Sequence, residues 1–308
     1  MAAAKVNKTG SKRRVFNYSL TQRIENEYGR DLYNVSREVE NLVNYHMSRL
    51  DKRKDDTVEI NDISGLIDKL NEYSEKITDW AERTSSKFVY SVEKHDDSEW
   101  KKHSETMSTA MKRELKSADV GDELRKIMAS NVDLIKSLPR EAAERVHDVV
   151  MKNLTTGRRA ESVISEIMKT GHVTKSRAKT IARTETSRAI TGLMKVRSTN
   201  AGMNWFVWKV THDNRLRKSH KVMDNVLVQW DDPPSPEKLA GLKDYGKYLP
   251  GSTYNCRCYP APIIRLSDVS FPAKVYYGGK IESMSMKKFL GLPENRDLKV
   301  LPNLKEAA

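Results

Sequence analysis

The chain has 308 residues, with 55 Lys and Arg against 42 Asp and Glu, a formal charge of +13 and only 7% aromatic residues. That length suggests about two domains, while the charge speaks to solubility and a polyanionic partner rather than to a fold. No stretch reaches the ~18 apolar residues of a membrane span, and the basic start from Met1 to Arg14 lacks the apolar run of a secretory leader. A membrane protein is excluded on this reading, and synthesis and retention in a cytoplasm are expected.

Residues 1–17 carry Lys5, Lys8, Lys12, Arg13 and Arg14 among few apolar side chains, which reads as a disordered basic arm. From Ser19 the pattern turns helical. Leu20, Ile24, Tyr28, Leu32, Val35, Val39, Leu42 and Leu50 recur at three- and four-residue steps, and Ser19 with Gln22 has the form of a capping box. Arg53-Lys54-Asp55-Asp56 interrupts, and a second run follows through Ile63, Leu66, Ile67, Leu70, Tyr73, Ile77, Trp80, Thr84 and Phe88. Two such helices predict an antiparallel hairpin. Shorter helices are expected over 98–116 and 119–137, and another from Pro139, a residue suited to a first helical turn, toward Leu154. Residues 18–154 thus read as an elongated helical module.

Thr155-Thr156-Gly157 punctuates the chain, after which Val163, Ile164, Ile167 and Met168 mark one helix and Thr174 opens another to about Thr199. Beyond Asn200-Ala201-Gly202 the composition changes. Residues 205–210 and 226–230 read as strands and 254–264 as a third extended segment, with three of the five tryptophans between 205 and 230 marking a small second core. Pro272, Gly278-Gly279, Pro293 and Pro302 make 266–308 read as a loosely structured tail.

The helix 174–199 is basic at its start. Lys175, Arg177 and Lys179, with Arg183, could face phosphates as in a helix-turn-helix; a solvated basic face is the simpler reading. Ala178, Ala182, Glu185 and Ala189 place a carboxylate in a stripe of small residues, so Glu185 needs a cationic partner, either Arg188 or an arginine of the second module. Nothing near it supplies a second acid or a nucleophile.

The densest constellation is His212-Asp213-Asn214-Arg215-Leu216-Arg217-Lys218-Ser219-His220, followed by Pro250-Gly251-Ser252-Thr253-Tyr254-Asn255-Cys256-Arg257-Cys258. His212, His220, Cys256 and Cys258 offer the four ligands of a structural zinc, although Cys-x-Cys is not the usual knuckle. The competing reading has no cofactor: two buried, reduced thiols and two hydrogen-bonded histidines, with Asp213/Arg217 and Arg215/Glu185 pairs organising the module. Cys256 and Cys258 are the only cysteines, too close in sequence to staple a fold by a disulfide.

These residues carry a resemblance. Ile181-Ala182-Arg183-Thr184-Glu185-Thr186, then Asp213-x-Arg215-x-Arg217-x-x-His220, then Pro250-Gly251 and Asn255-Cys256-Arg257-Cys258 resemble the Mu F-like head morphogenesis family, minor head proteins of tailed bacteriophages, here of the Bacillus siphophage type. The resemblance covers about 150–265, and its family positions are Arg183, Glu185, Asp213, Arg215, Arg217, His220, Asn255, Cys256 and Cys258. Asp224-Asn225 departs from it, since relatives often place a glycine turn there.

The resemblance implies a structural protein that binds the portal vertex during procapsid assembly, works in the host cytoplasm and then inside the procapsid or virion head, and is not an enzyme. Portal protein is the implied partner, with scaffold or major capsid protein as further ones. The charge adds double-stranded DNA, contacted without sequence preference in packaging or ejection. The rival reading is a metal-assisted nuclease or nucleotide-transfer enzyme using Glu185, His212, Asp213 and His220. The expected fold is α+β: helical module 18–154, small mixed α/β Mu F-like module 155–265, tail 266–308.

Overall fold

The structure, a computed structural model, describes residues 19–50, 60–104, 118–156, 160–263 and 266–295. The basic arm with Lys5, Lys8, Lys12, Arg13 and Arg14 lies outside the described residues, as do 296–308. Two compact units are present: among the described residues one holds 19–202 and 248–259, the other 203–247 and 260–295. No helix of the described residues is long and apolar enough to cross a membrane.

Among the described residues six helices build the first unit: α1 (Ser19–Leu50), α2 (Ile60–Lys76), α3 (Thr78–Ser104), α4 (Ala118–Thr156), α5 (Ala160–Met168) and α6 (Thr170–Asn200). Helix α1 buries Ile24, Tyr28, Leu32, Val35, Val39, Val43 and Met47, a stripe at three- and four-residue steps that faces two apolar clusters in turn. One cluster joins α1 to α3, α4 and α6 through residues such as Phe88, Ile135, Ile181 and Leu193; the other joins it to α2, α4 and α5 through Leu66, Leu70, Val146 and Ile167. Small hydroxyls let the helices approach: Ser74 and Ser85 donate to the Lys136 and Met128 carbonyls of α4, both at 2.8 Å.

Several helix boundaries differ from expectation. The second periodic run divides at Ile77, yet Ile77 N–H still donates to Tyr73 O and Ala81 N–H to Ile77 O, so α2 and α3 follow each other almost without a break. Helix α3 then continues through the expected start at Ser98. Pro139 lies inside α4 rather than at a helix start. Its ring removes one backbone hydrogen bond, but Ile135, Leu138 and Ala142 around it are all buried, and packing outweighs the lost bond. Gly171, in the gap expected between the helix ending at Met168 and the one opening at Thr174, sits in the first turn of α6, where a Cβ would come within 2.9 Å of Glu40 on α1.

The second unit is a five-stranded sheet of order β3-β1-β2-β4-β5, formed by β1 (Trp205–Lys209), β2 (Val226–Gln229), β3 (Tyr259–Pro262), β4 (Ala273–Tyr277) and β5 (Lys280–Met284). β1 and β2 are antiparallel, β2 and β4 parallel, and β4 and β5 an antiparallel hairpin. Short helices α7 (Lys218–Lys221), α8 (Pro236–Leu239) and α9 (Met286–Leu290) accompany it.

The α+β class therefore holds, but residues 266–295 are no loose tail. Gly278 and Gly279, both at positive φ, close the β4–β5 hairpin, and Val275, Met284, Phe289 and Leu292 enter the same core as Trp205 and Leu227. The Trp205 indole donates to Asn295 Oδ1 at 2.6 Å, and the Asn295 amide donates to Phe289 O at 2.8 Å. The expected module 155–265 is likewise divided, its helices and the 248–259 segment going with the first unit.

Candidate functional site

Within the helical unit, the segment Tyr248–Tyr259 is bound by one face of α6. Four side chains of that helix, Thr184, Ser187, Arg188 and Thr191, recur at i, i+3, i+4 and i+7 and so line up on one side. Thr191 Oγ1 donates to Pro250 O at 2.9 Å, and Arg188 Nε donates to Ser252 O at 2.8 Å. Ser187 Oγ donates to Cys256 O at 3.4 Å, and Thr184 Oγ1 accepts from the Asn255 N–H at 3.2 Å. Arg188 also lies over the Tyr254 ring, 5.6 Å from its centre.

This close seating needs two left-handed residues, Gly251 at φ +83 and Asn255 at φ +55. At Gly251 a Cβ would stand 3.1 Å from both Cys258 O and Thr191 Oγ1. Cys256 and Cys258 are both buried, and neither forms a disulfide.

Glu185 is buried, as its stripe requires, and its partner is Arg188 of the same helix, with Nη1 at 2.9 Å from Oε1. Loss of solvent pushes the Glu185 carboxyl above the usual carboxylate range, against the pull of Arg188 and Arg177. The expected Arg215/Glu185 pair is thus replaced by a local one, and Arg215 and Arg217 are exposed. Arg183 pairs with Glu25 of α1 at 3.1 Å.

In the sheet unit, the Asp213 carboxylate accepts from the Arg215 N–H at 2.9 Å, and Leu216 N–H donates to Asp213 O at 3.2 Å, so this acid shapes its own turn. The turn leads into α7, which buries Ser219 and His220. His220 packs edge-on to Trp208 and lies 3.9 Å from Glu237, whose Oε1 accepts from Ser219 Oγ at 3.0 Å. His212 departs from the four-ligand set: its side chain is 74% exposed and rests against Asp224 at 3.4 Å. Asn225 adopts φ +60, a left-handed turn made here without glycine, and its N–H donates to Trp208 O at 2.9 Å.

Of the basic candidates on α6, Arg177 is held by Glu141 of α4 in a two-nitrogen contact at 3.0–3.3 Å. Lys175 donates to Tyr33 Oη at 3.3 Å and lies over its ring, and Lys179 is exposed. The four residues of the enzyme reading engage different groups: Glu185 holds Arg188, His212 faces Asp224, Asp213 caps its own turn, and His220 packs beside Trp208 and Glu237. The residues missed in the sequence are Thr184, Ser187, Arg188 and Thr191 as a loop-binding face. Their signal was a polar stripe at helical spacing.

Residues 144–260 match the model of the family described as phage Mu protein F like protein. The segment carrying the motifs is therefore similar to that family, as the resemblance implied. An uncharacterized protein of Haemophilus influenzae is 27% identical over 148 residues, which are 48% of this chain and 31% of that protein, so the chain spans less than a third of its length. No solved structure matches the chain.

Proposed function

We propose that the chain is a bacteriophage minor head protein that binds the portal vertex during procapsid assembly, is enclosed in the head, and contacts duplex DNA without sequence preference. The family match over 144–260 carries the head-morphogenesis part of this reading. Portal binding comes from the family resemblance, and the DNA contact from the +13 charge. A structural role agrees with how the motif residues are used. Thr184, Ser187, Arg188, Thr191, Gly251 and Asn255 hold one loop on one helix, and Asp213 shapes a turn.

Affinity purification of the tagged chain from infected cells tests the reading. Recovery of portal protein together with nuclease-sensitive genomic DNA is expected, and recovery of neither overturns it. Incubating the pure chain with plasmid and divalent metal ions tests the enzymatic rival. The plasmid should stay intact, and cleavage abolished by Glu185→Ala would replace this reading.

A further inference from the structure

We infer that the solvent face shared by α1 and α6 is a binding surface for the phosphate backbone of duplex DNA, a step that rests on the DNA-contact reading above and gives it a location on the folded part of the chain. The two helices run side by side in opposite directions: Gly171 meets Glu40, Lys175 meets Tyr33, and Arg183 meets Glu25.

Opposite its buried stripe, α1 exposes Arg30, Tyr33, Asn34, Arg37, Glu38, Asn41, Asn44, Tyr45, Ser48 and Arg49, with Glu38 the single acid. The first two turns of α6 and the turn after expose His172, Val173, Lys175, Ser176 and Lys179, with no acid at all. This excess of exposed cations over acids contrasts with the unit's near balance, where 18–202 carry 33 Lys and Arg against 31 Asp and Glu.

Three of the cations on this face are held by neutral groups. Arg37 donates to the Asn34 amide oxygen at 3.3 Å, Lys175 to the Tyr33 phenol, and the Arg49 guanidinium lies 4.7 Å over the Tyr45 ring. A phosphate can replace such contacts without first breaking an ion pair. Arg177 and Arg183, by contrast, are committed to Glu141 and Glu25, which removes them from the face.

From Arg30 to Arg49 the helix rises ~28 Å at 1.5 Å per residue, most of a turn of duplex DNA at ~34 Å. Arginine, lysine, asparagine, serine and tyrosine are the side chains that contact phosphate and sugar. The face lacks the Trp, Phe and Leu with which a helix enters a lipid surface, so a membrane is disfavoured as its occupant.

The test uses the full chain and fluorescence anisotropy on a labelled random-sequence duplex, its single strand, and phosphatidylglycerol vesicles. Arg37→Glu/Lys175→Glu/Lys179→Glu should lower duplex affinity at least ~10-fold at low salt and reduce the slope of log affinity against log salt by about 2–3. A control with the same charge change elsewhere, Lys94→Glu/Lys126→Glu/Lys152→Glu, should lose markedly less. Thermal melts confirm folding; should the triple variant unfold, Lys179→Glu alone takes its place, with a slope change of about one.

Equal losses in the face variant and the control overturn the inference. So does binding that deletion of residues 1–17 abolishes and face reversal leaves alone, an outcome that keeps the DNA-contact reading. Binding of single strands or vesicles without duplex binding also overturns it. A wild-type chain that binds no DNA at low salt removes both the inference and the reading beneath it.

Discussion

At the scale of single residues, the 248–259 segment is sensitive because its backbone leaves no room. Gly251 combines φ +83 with two oxygens at 3.1 Å from the Cβ it lacks, one of them a backbone carbonyl. Gly251→Ala should therefore cost about 1–3 kcal/mol from the strained conformation alone. Asn255→Gly, at φ +55, should stay near wild type, because glycine accepts that conformation. Thermal melts of both variants check this, and equal melting points would show that the loop relaxes around the new methyl group. Glu185→Ala should cost less than a fully buried ion pair would, about 1–2 kcal/mol, since Arg188 is partly solvated and keeps its bond to Ser252 O. A loss of about 3–5 kcal/mol, the cost of breaking a fully buried pair, would contradict this.

Helices make their own demands, and two glycines on the same α1–α6 contact illustrate how spacing decides the sign of a substitution. A Cβ on Gly29 would meet Ala182 Cβ at 3.6 Å, an ordinary contact, so Gly29→Ala should gain about 0.5–1 kcal/mol from helix propensity. A Cβ on Gly171 would meet Glu40 Cβ and Cγ at 2.9 Å, atoms close to the α1 backbone, and Gly171→Ala should lose ~1 kcal/mol or more. Urea unfolding of the pair would refute the argument if both moved in the same direction. The α3–α6 contact holds a second case. Arg197 is fully buried between Asp96 and Asp97, and burial, reinforced by Asp97 and Glu93, pushes the Asp96 carboxyl up to about 6 against the pull of Arg197. The folded chain then holds a proton, between about pH 4 and 6, that the unfolded chain has released, so this group adds stability as pH falls through that window. Relative to Asp96→Asn, the wild type should gain ~1 kcal/mol from pH 7 to pH 5; a relative loss would mean that Arg197 dominates. Periodicity made α1 and the division into helices and strands legible in the sequence. It could not reveal that packing carries α4 through Pro139, which depends on helical partners such as Leu32 and Leu70, or that Gly278-Gly279 closes a hairpin whose strands complete the sheet, which depends on the pairing of Val275 with Leu227. Glu185 was found through its Ala stripe, whereas Thr184 and Thr191 showed only a polar stripe at helical spacing that names no partner, their partners being backbone atoms of a loop far along the chain.

For the whole molecule, the placement of charge matters more than its total. Residues 18–202 are nearly balanced, while 1–17 carry five cations and no acid. A net charge of +13 therefore does not describe a uniformly basic body, and affinity for DNA should arise from a few concentrated sources. Each phosphate contact contributes about 0.9 to the slope of log affinity against log salt. If Lys5, Lys8, Lys12, Arg13 and Arg14 all engage phosphates, deleting 1–17 should flatten that slope by about 4.5, and more than reversal of the three cations on the α1–α6 face does. The two changes should be additive in log affinity if they touch separate phosphates, since contacts without shared partners combine independently. The measurement is a salt titration of duplex binding for the intact chain, each single change, and their combination. An unchanged slope on deleting 1–17 would mean that these cations do not reach DNA. A combined loss well short of the sum would mean that they compete with the helical face for the same stretch of backbone.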